Sequence, residues 1–261
     1  MRPIHRTLLL VLLSLPTVIL AQVPTMQDTL ATTPANSTKA KEKFPWKGLI
    51  VPAALTGYGF AAVHSGSLQQ VNKDIQKSIW IDNPHGQLKL DDYFRFVPAV
   101  AVYGLNLAGV KGKNDLRDRT LLLTLSAIIM GGTTYTLKHT IKEPSLGNPD
   151  SLAHNYFPSG HTATAFMTAE FMWQEYHERS PWYGVAGYAF AVATGYLRLY
   201  NNQHWFSDVV AGAGIGIGST KLAYWIYPKI KRALFKDKKV NAMILPYYRA
   251  NAFGMQFVSR F

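Results

Sequence analysis

The stretch from Val209 to Tyr227 reads VVAGAGIGIGSTKLAYWIY, an apolar run with glycine at every second position from Gly212 to Gly218. Glycine weakens an isolated helix in water, but small residues let neighbouring helices pack closely together. A parallel strand is the local alternative for Val209–Gly218, yet the chain offers no other strands for it to pair with. The run therefore predicts a closely packed helix.

Five more apolar stretches of similar composition precede this one along the chain. Their lengths, and their content of Ala, Leu, Gly and Ile, suit helices that pack through small residues. We therefore predict an all-α fold, a bundle of six helices. The other five stretches run over residues 48–64, 93–110, 120–137, 161–173 and 183–197.

The composition of the 261-residue chain excludes several classes of protein. With 48% hydrophobic and 16% charged residues, it is not a disordered polyelectrolyte. The absence of cysteine excludes a disulfide scaffold, a thiolate nucleophile and a Cys-ligated metal site. The net charge of +12 suits nucleic acid, anionic lipid or phosphorylated substrates. Because the basic residues lie in loops between apolar stretches, we expect no nucleic-acid partner.

The two ends of the chain differ from its middle. Residues 1–21 combine an N-terminal Arg2 and Arg6 with an apolar run and a small Ala21, which is typical of a signal peptide, although an uncleaved anchor is the alternative. Residues 22–47 are polar and predict a flexible linker. The helical domain then covers residues 48–239, and residues 240–261 predict a short extended tail whose role the sequence does not indicate.

We expect the bundle to be membrane-embedded in the inner membrane, with the soluble periplasm as the alternative. A membrane span needs about 20 apolar residues, and the stretch 161–173 is shorter and contains Glu170. A cleaved signal followed by six full spans would place the turns after the third and fifth stretches inside, against the positive-inside rule. Either the stretch 48–64 is not a simple span, or the signal remains as one, or the whole bundle is a soluble exported domain.

The segment 157–162, FPSGHT, lies where a loop turns into a helix. Ser159 is a good N-cap, and the free amides of a helix N-terminus attract phosphate or an oxyanion. Gly160 lets the backbone approach a ligand closely, and His161 can give or take a proton. An ordinary capped helix with a surface histidine is the alternative interpretation of this segment.

The segment 198–208 carries a second polar cluster. If a helix opens near Gln203, His204 and Asp208 lie on one face, where the carboxylate can orient the imidazole as a nucleophile. Arg198, just upstream, offers the forked positive charge that a phosphate needs. A His-x3-Asp pair alone is weak evidence, because such pairs are common on helix surfaces.

Taken together, the two clusters resemble the type 2 phosphatidic acid phosphatase (PAP2) and vanadium haloperoxidase superfamily. That family is recognised by the motifs Lys-x6-Arg-Pro, Pro-Ser-Gly-His and Ser-Arg-x5-His-x3-Asp, and the resemblance covers about residues 93–227. It implies a six-helix PAP2-like bundle that hydrolyses phosphate esters without a metal or other cofactor. It also implies that His204 attacks phosphorus, Asp208 orients His204 and His161 protonates the leaving oxygen. The phosphate-binding residues that it implies are Arg198, Ser159, Gly160 and Lys138.

The chain departs from the family pattern at two motifs. Lys138 matches the lysine of the first motif, but Ser145 and Leu146 stand where the family has Arg-Pro. Lys142, one helical turn after Lys138, is our candidate for part of the missing charge, although an ammonium does not reproduce the bidentate hold of a guanidinium. In the third motif Leu197 replaces the usual serine.

The sequence therefore predicts a phosphoric ester hydrolase that forms a phosphohistidine and acts on a phosphomonoester or diphosphate of a lipid at the periplasmic side of the inner membrane. The candidate substrates come from the family: phosphatidic acid, phosphatidylglycerol phosphate, undecaprenyl diphosphate and the phosphates of lipid A. The alternatives are a soluble acid phosphatase for small esters, a vanadate-dependent haloperoxidase and a catalytically impaired lipid-binding member. The eight histidines form no His-Glu-x-x-His pattern, so we expect no essential metal.

Overall fold

The computed structural model of the protein describes residues 44, 46–146, 152–153, 155–234, 242–249 and 252–259. The predicted signal peptide and most of the predicted linker lie outside these residues. Trp46 and Lys47, which we assigned to the linker, already belong to the first helix.

The described part of the chain contains eight α-helices, and each of the six predicted stretches is helical. This confirms the all-α prediction. The stretch 93–110 is divided between two helices. Pro98 marks the start of the second one, because proline has no N–H to donate and is tolerated in the first turn of a helix but not in its interior. The helices are α1 (Trp46–His64), α2 (Gly66–Gln76), α3 (Asp91–Phe94), α4 (Val97–Leu107), α5 (Leu116–Thr140), α6 (Gly160–Tyr176), α7 (Pro181–Tyr200) and α8 (Phe206–Leu234). A π-helical turn, Lys77–Ile81, continues α2.

Helix α8 packs against α1, α5 and α6. Its alternating glycines serve two different neighbours, because residues four apart share one face of a helix. A methyl group on Gly216 would lie 2.3 Å from the carbonyl oxygen of Ala163 in α6. On Gly214 it would lie 2.5 Å from the carbonyl oxygen of Pro52 in α1. The glycine pattern therefore brings α8 into backbone contact with two helices at once.

Among the described residues, α5 and α8 are long and apolar enough to cross a membrane. Helix α1 passes the same test only together with residues 66–81, and the chain bends by 97° between them. This bend favours the alternative in which the stretch 48–64 is not a simple span. Helix α6 does not qualify, in keeping with its internal Glu170.

A buried ion pair joins α5 to α6 near the C-terminal end of α6. Nε of Arg119 lies 3.1 Å from Oε2 of Glu175, and both side chains are buried. The other carboxylate oxygen, Oε1, accepts hydrogen bonds from Tyr224 of α8 at 2.6 Å and from Asn114 at 2.6 Å. These bonds satisfy the buried carboxylate and connect three helices.

Two short antiparallel hairpins complete the described structure. Strands β1 (Glu143–Pro144) and β2 (Leu152–Ala153) pair in the connection between α5 and α6. Strands β3 (Ala242–Arg249) and β4 (Ala252–Ser259) pair over eight residues each. Within the extended tail predicted for residues 240–261, the described residues 242–249 and 252–259 thus pair as a hairpin.

Candidate active site

The N-terminal ends of α6 and α8 meet, and this brings the two sequence clusters together. Oγ of Ser159 accepts hydrogen bonds from the Thr162 hydroxyl at 2.9 Å and the Thr162 amide at 3.4 Å, which confirms Ser159 as the N-cap of α6. The amide of Ser159 donates to the carbonyl oxygen of Asp208 at 3.1 Å. A main-chain hydrogen bond therefore links the FPSGHT segment to the His-x3-Asp segment.

Helix α2 fixes the start of α8. Nδ2 of the buried Asn72 donates to the Ser207 hydroxyl at 2.8 Å, and the Ser207 amide donates back to Oδ1 of Asn72 at 3.1 Å. The Trp205 amide donates to Oδ2 of Asp208 at 2.9 Å. No sequence pattern indicates Asn72, because its partner lies far along the chain and α2 itself was not predicted.

His204 and Asp208 form the predicted pair. Nδ1 of His204 lies 3.3 Å from Oδ2 of Asp208, and both residues are buried. Burial lowers the pKa of His204, and the cations Arg198 and Lys138 lower it further, while the contacts with Asp208 oppose this shift. The imidazole is therefore neutral near pH 7. With Nδ1–H donating to Asp208, Nε2 carries a free lone pair, as a nucleophile requires.

His161 has an acidic partner that sequence analysis did not identify. Its Nε2 lies 2.8 Å from Oδ1 of Asp92, in α3. Burial lowers the pKa of His161, Asp92 raises it, and Arg198 and Arg95 lower it. Burial outweighs Asp92, so the pKa of His161 lies below its ordinary value, and Asp92 limits this fall in favour of the protonated form that a general acid must have.

Arg198 is held by the neighbouring acid. Its Nη1 donates to Oδ2 of the buried Asp91 at 2.6 Å, and its Nη2 donates to Oε1 of Gln203 at 3.3 Å. Nε of Arg198 is buried and has no hydrogen-bond partner among the described residues. The adjacent acids Asp91 and Asp92 thus support the two groups that would face a phosphate. Their position just before the stretch 93–110 was the available sequence signal.

One group of side chains at the site could in principle hold a metal ion. It consists of Asp91, Asp92 and His161, whose possible ligand atoms lie within 4.8 Å of one another. Both carboxylates are already engaged, Asp91 by Arg198 and Asp92 by His161. We interpret the group as a support for two side chains of the site. The expectation that no metal is needed remains a prediction.

Lys138, in the last turn of α5, reaches the loop that precedes α6. Its Nζ donates to the carbonyl oxygens of Asn155 at 2.5 Å and Tyr156 at 3.3 Å. Cε of Lys138 would lie 3.9 Å from a methyl group placed on Gly160. The predicted lysine and the predicted glycine are therefore neighbours.

Of the residues around the altered first motif, Lys142 lies away from the site and Pro144 lies beside it. Lys142 is exposed, and no contact among the described residues connects it to the site. The carbonyl of Leu146 accepts from Gln76 at 3.4 Å, whereas the carbonyl of Pro144 accepts from the Trp205 indole at 2.7 Å. The hydrogen bond to Trp205, next to the nucleophile candidate, places Glu143-Pro144 beside the site.

Glu143 is the functional candidate that sequence analysis overlooked. It is 2% exposed, and burial followed by the neighbouring Asp208 raises its pKa to about 10. The available signal was an acidic residue directly before a proline, in a loop where the family motif has arginine before proline. Counting seven residues from Lys138 led instead to Ser145.

An apolar cavity of about 480 Å³ lies beside the site, between α1, α5 and α8. Phe60 lines it, and the Phe60 ring packs against Phe157 with centroids 5.6 Å apart. Thr133 also lines the cavity, and the next residue, Thr134, lies close to Gly160. The cavity therefore borders the loop that carries the Pro-Ser-Gly-His motif.

The profile of the PAP2 superfamily matches residues 119–232. Over these residues the chain is similar to the PAP2 superfamily. The match runs from α5 to α8 and includes Lys138, His161, Arg198, His204 and Asp208. Asn72, Asp91 and Asp92, which support the site, lie before the PAP2 region.

Two curated proteins resemble the chain over part of their length. A lipid A 1-phosphatase of Porphyromonas gingivalis is 41% identical over 145 residues, which are 55% of this chain and 32% of the relative. The bacitracin transport permease protein BcrC of Bacillus licheniformis is 33% identical over 95 residues, which are 35% of this chain and 45% of the relative. The matched regions thus span less than half the length of either relative.

Two solved structures were also found. The crystal structure of Aquifex aeolicus LpxE has a TM-score of 0.44 and 22% identity, and the match covers 59% of this chain and 94% of that one. The PAP2-type phosphatidylglycerolphosphate phosphatase of Bacillus subtilis has a TM-score of 0.44 and 18% identity, with coverages of 70% and 98%.

Proposed function

We propose that the protein is a metal-independent lipid phosphatase that works through a phosphohistidine. The observation that carries this proposal is the buried His204–Asp208 pair, whose neutral imidazole is held by a carboxylate and lies near the cations Arg198 and Lys138. A histidine held in this way can attack phosphorus, while the nearby positive charge draws in a phosphate ester.

The reaction proceeds in two steps. Nε2 of His204 forms a bond to phosphorus as the bond from phosphorus to the lipid oxygen breaks, and that oxygen takes a proton from His161. A water molecule then gives a proton to His161 and attacks the phosphohistidine, which releases inorganic phosphate and restores His204. The contact of His161 with Asp92 keeps the imidazole oriented for both transfers.

The α6 N-terminus stabilises the charge that develops on the phosphoryl oxygens. The first amides of a helix have no acceptor within the helix, and here the Thr162 amide donates to Ser159, which fixes the first turn of α6. Arg198 adds a guanidinium that is already oriented by Asp91, so little conformational entropy is lost when it binds the phosphate. Together these groups form a preorganised phosphate site.

The substrate that we propose is a phosphorylated lipid. The apolar cavity beside Phe157 offers a place for hydrocarbon, and α5 and α8 are candidate membrane spans. The resemblance to a lipid A 1-phosphatase makes the 1-phosphate of lipid A the first substrate to test. Phosphatidic acid, phosphatidylglycerol phosphate and undecaprenyl diphosphate are the further candidates.

We propose that the site faces the periplasm. Helix α5 begins beside Arg117 and ends at the site with Lys138, whereas α8 begins at the site and ends beside Lys231 and Arg232. The start of α5 and the loop before it carry Lys111, Lys113, Arg117 and Arg119, whereas the site end of α5 carries Lys138 and Lys142. The more basic end of each candidate span therefore lies away from the site. The positive-inside rule assigns such ends to the cytoplasm, and this orientation supports a periplasmic active site.

The test is phosphate release by detergent-purified protein with chelator present, from the lipid candidates and from a small chromogenic ester. We expect His204→Ala to abolish release and to prevent labelling by a radioactive phosphate donor. His177→Ala is the matched control, since His177 follows the far end of α6, about 24 Å from the site at 1.5 Å per residue. Equal release by wild type and His204→Ala would refute the mechanism. Hydrolysis of the small ester alone would favour the soluble phosphatase.

A catalytically impaired lipid-binding protein is the second candidate. It is favoured by the position of Glu143, an acid, beside the site in a loop where the family motif has arginine. This alternative predicts that wild type and His204→Ala bind vesicles containing a lipid phosphate equally well and that neither releases phosphate.

A further inference from the structure

Two buried carboxyl groups touch behind the nucleophile candidate. Glu143 is 2% exposed and Asp208 is 0% exposed, and their side chains are in hydrogen-bonding contact. Oε1 of Glu143 and Oδ1 of Asp208 are nevertheless both without a donor among the described residues. Two carboxylate oxygens cannot satisfy each other, because neither carries a hydrogen when both groups are ionised.

No other group among the described residues around this pair supplies the missing donor. Oδ2 of Asp208 accepts from the Trp205 amide and faces His204, so Oδ1 is its open oxygen. The ammonium of Lys138, from α5, donates to the backbone carbonyls of Asn155 and Tyr156, in the loop that precedes α6. Lys73, from α2, lines a small cavity with Glu143 but is itself exposed. The arrangement therefore requires a proton between the two carboxyl groups.

We propose that Glu143 is a positioning residue that stays protonated and donates a hydrogen bond to Oδ1 of Asp208, so that Asp208 in turn holds His204. This inference rests on the proposed function, because it assigns Glu143 a role in orienting the proposed nucleophile. Because the two carboxyl groups share this proton, the pair carries a single negative charge, which a buried pair of acids can sustain. The raised pKa of Glu143 agrees with this arrangement.

The surrounding loop holds Glu143 in place. The carbonyl of Pro144 accepts from the Trp205 indole, and the Trp205 amide binds the same Asp208 carboxylate. A line of contacts thus runs from Glu143 through Asp208 to His204. Trp205 follows His204 in the chain and binds Pro144, the residue after Glu143, so it connects the two ends of this line. Protonated Glu143 adds no negative charge to the phosphate site, which explains how an acid is tolerated there.

Infrared spectroscopy tests the protonation without relying on catalysis. Wild type at pH 7, in a detergent free of ester and carboxyl groups, is compared with Glu143→Gln and with the matched control Glu178→Gln. Glu178 is an exposed carboxylate that pairs with Lys113. We expect the C=O band of a protonated carboxyl group to disappear in Glu143→Gln and to persist in Glu178→Gln. The same band in wild type and Glu143→Gln would overturn the inference.

Kinetics test the positioning role. The amide of Glu143→Gln can still donate to Asp208, so we expect its kcat to stay near the wild-type value. Glu143→Leu has no donor, and we expect kcat to fall about 10- to 100-fold with little change in KM. Equal kcat values for Glu143→Gln and Glu143→Leu would overturn the role. If wild type releases no phosphate, the proposed function fails, and the infrared comparison still decides the protonation.

Discussion

Gly212 lies where α8 meets the first turn of α6, so Gly212→Ala tests whether close backbone packing sets the geometry of the site. A methyl group at this position would lie 2.6 Å from the carbonyl oxygen of Ser159 and 3.2 Å from Cβ of Thr162. Ordinary contacts begin at 3.4 Å, and a close-packed interior yields little, so the substitution pushes the two backbones apart by about 0.8 Å.

The expected magnitudes differ for stability and for activity. Overpacking costs about 1–3 kcal/mol, and the better helix propensity of alanine returns about 1 kcal/mol. The free energy of unfolding therefore falls by no more than about 2 kcal/mol, which lowers Tm by a few degrees. A displacement of about 1 Å at reacting groups can cost about 100-fold in rate, so we expect phosphate release to fall by 10- to 100-fold.

The matched control is Gly132→Ala in α5. A methyl group there would meet no described neighbour within 4 Å outside its own helix backbone. Phosphate release and thermal unfolding, followed by tryptophan fluorescence in detergent, are measured for both variants and wild type. If Gly212→Ala matched Gly132→Ala in rate and in Tm, the packing of α8 on α6 would not set the geometry of the site.

Three further predictions concern protonation, stability and metal dependence. Asp92→Asn removes a contact that raises the pKa of His161, so that pKa falls further and the alkaline limb of a kcat/KM profile moves to lower pH. Glu175→Ala leaves Arg119 buried without its partner, and we expect the free energy of unfolding in denaturant to fall by about 3–5 kcal/mol. A chelator such as EDTA leaves the rate of phosphate release unchanged.

For each of these three predictions, one result would contradict it. Glu178→Gln should keep the wild-type pH profile, and an alkaline shift in Asp92→Asn would contradict the role of Asp92. Wild-type stability of Glu175→Ala would show that the buried pair is dispensable. Loss of activity with EDTA, restored by a divalent ion, would indicate a metal at Asp91, Asp92 and His161.

The helices and the central pair were predictable because their signals are local. The alternating glycines of Val209–Tyr227 indicate close packing on two sides, and the four-residue spacing of His204 and Asp208 is a property of helix geometry. The N-cap role of Ser159 likewise follows from neighbours in sequence. Such features depend on a few consecutive residues.

The supporting residues could not be predicted, because their partners lie far along the chain. Asn72 binds Ser207, and Asp91 binds Arg198, across more than 100 residues in each case. Glu143 was hidden for another reason, because a motif defined by counting from Lys138 leads past it. Only folding brings these residues to the ends of α6 and α8.

The hydrogen bond between the Ser159 amide and the Asp208 carbonyl uses main-chain atoms alone. A side-chain substitution at His204 therefore leaves it intact, and the phosphate cradle keeps its shape when the chemistry is switched off. Silenced variants of this kind would hold an uncleaved lipid in place. The feature makes the protein well suited to trapping its own substrate for identification by mass spectrometry.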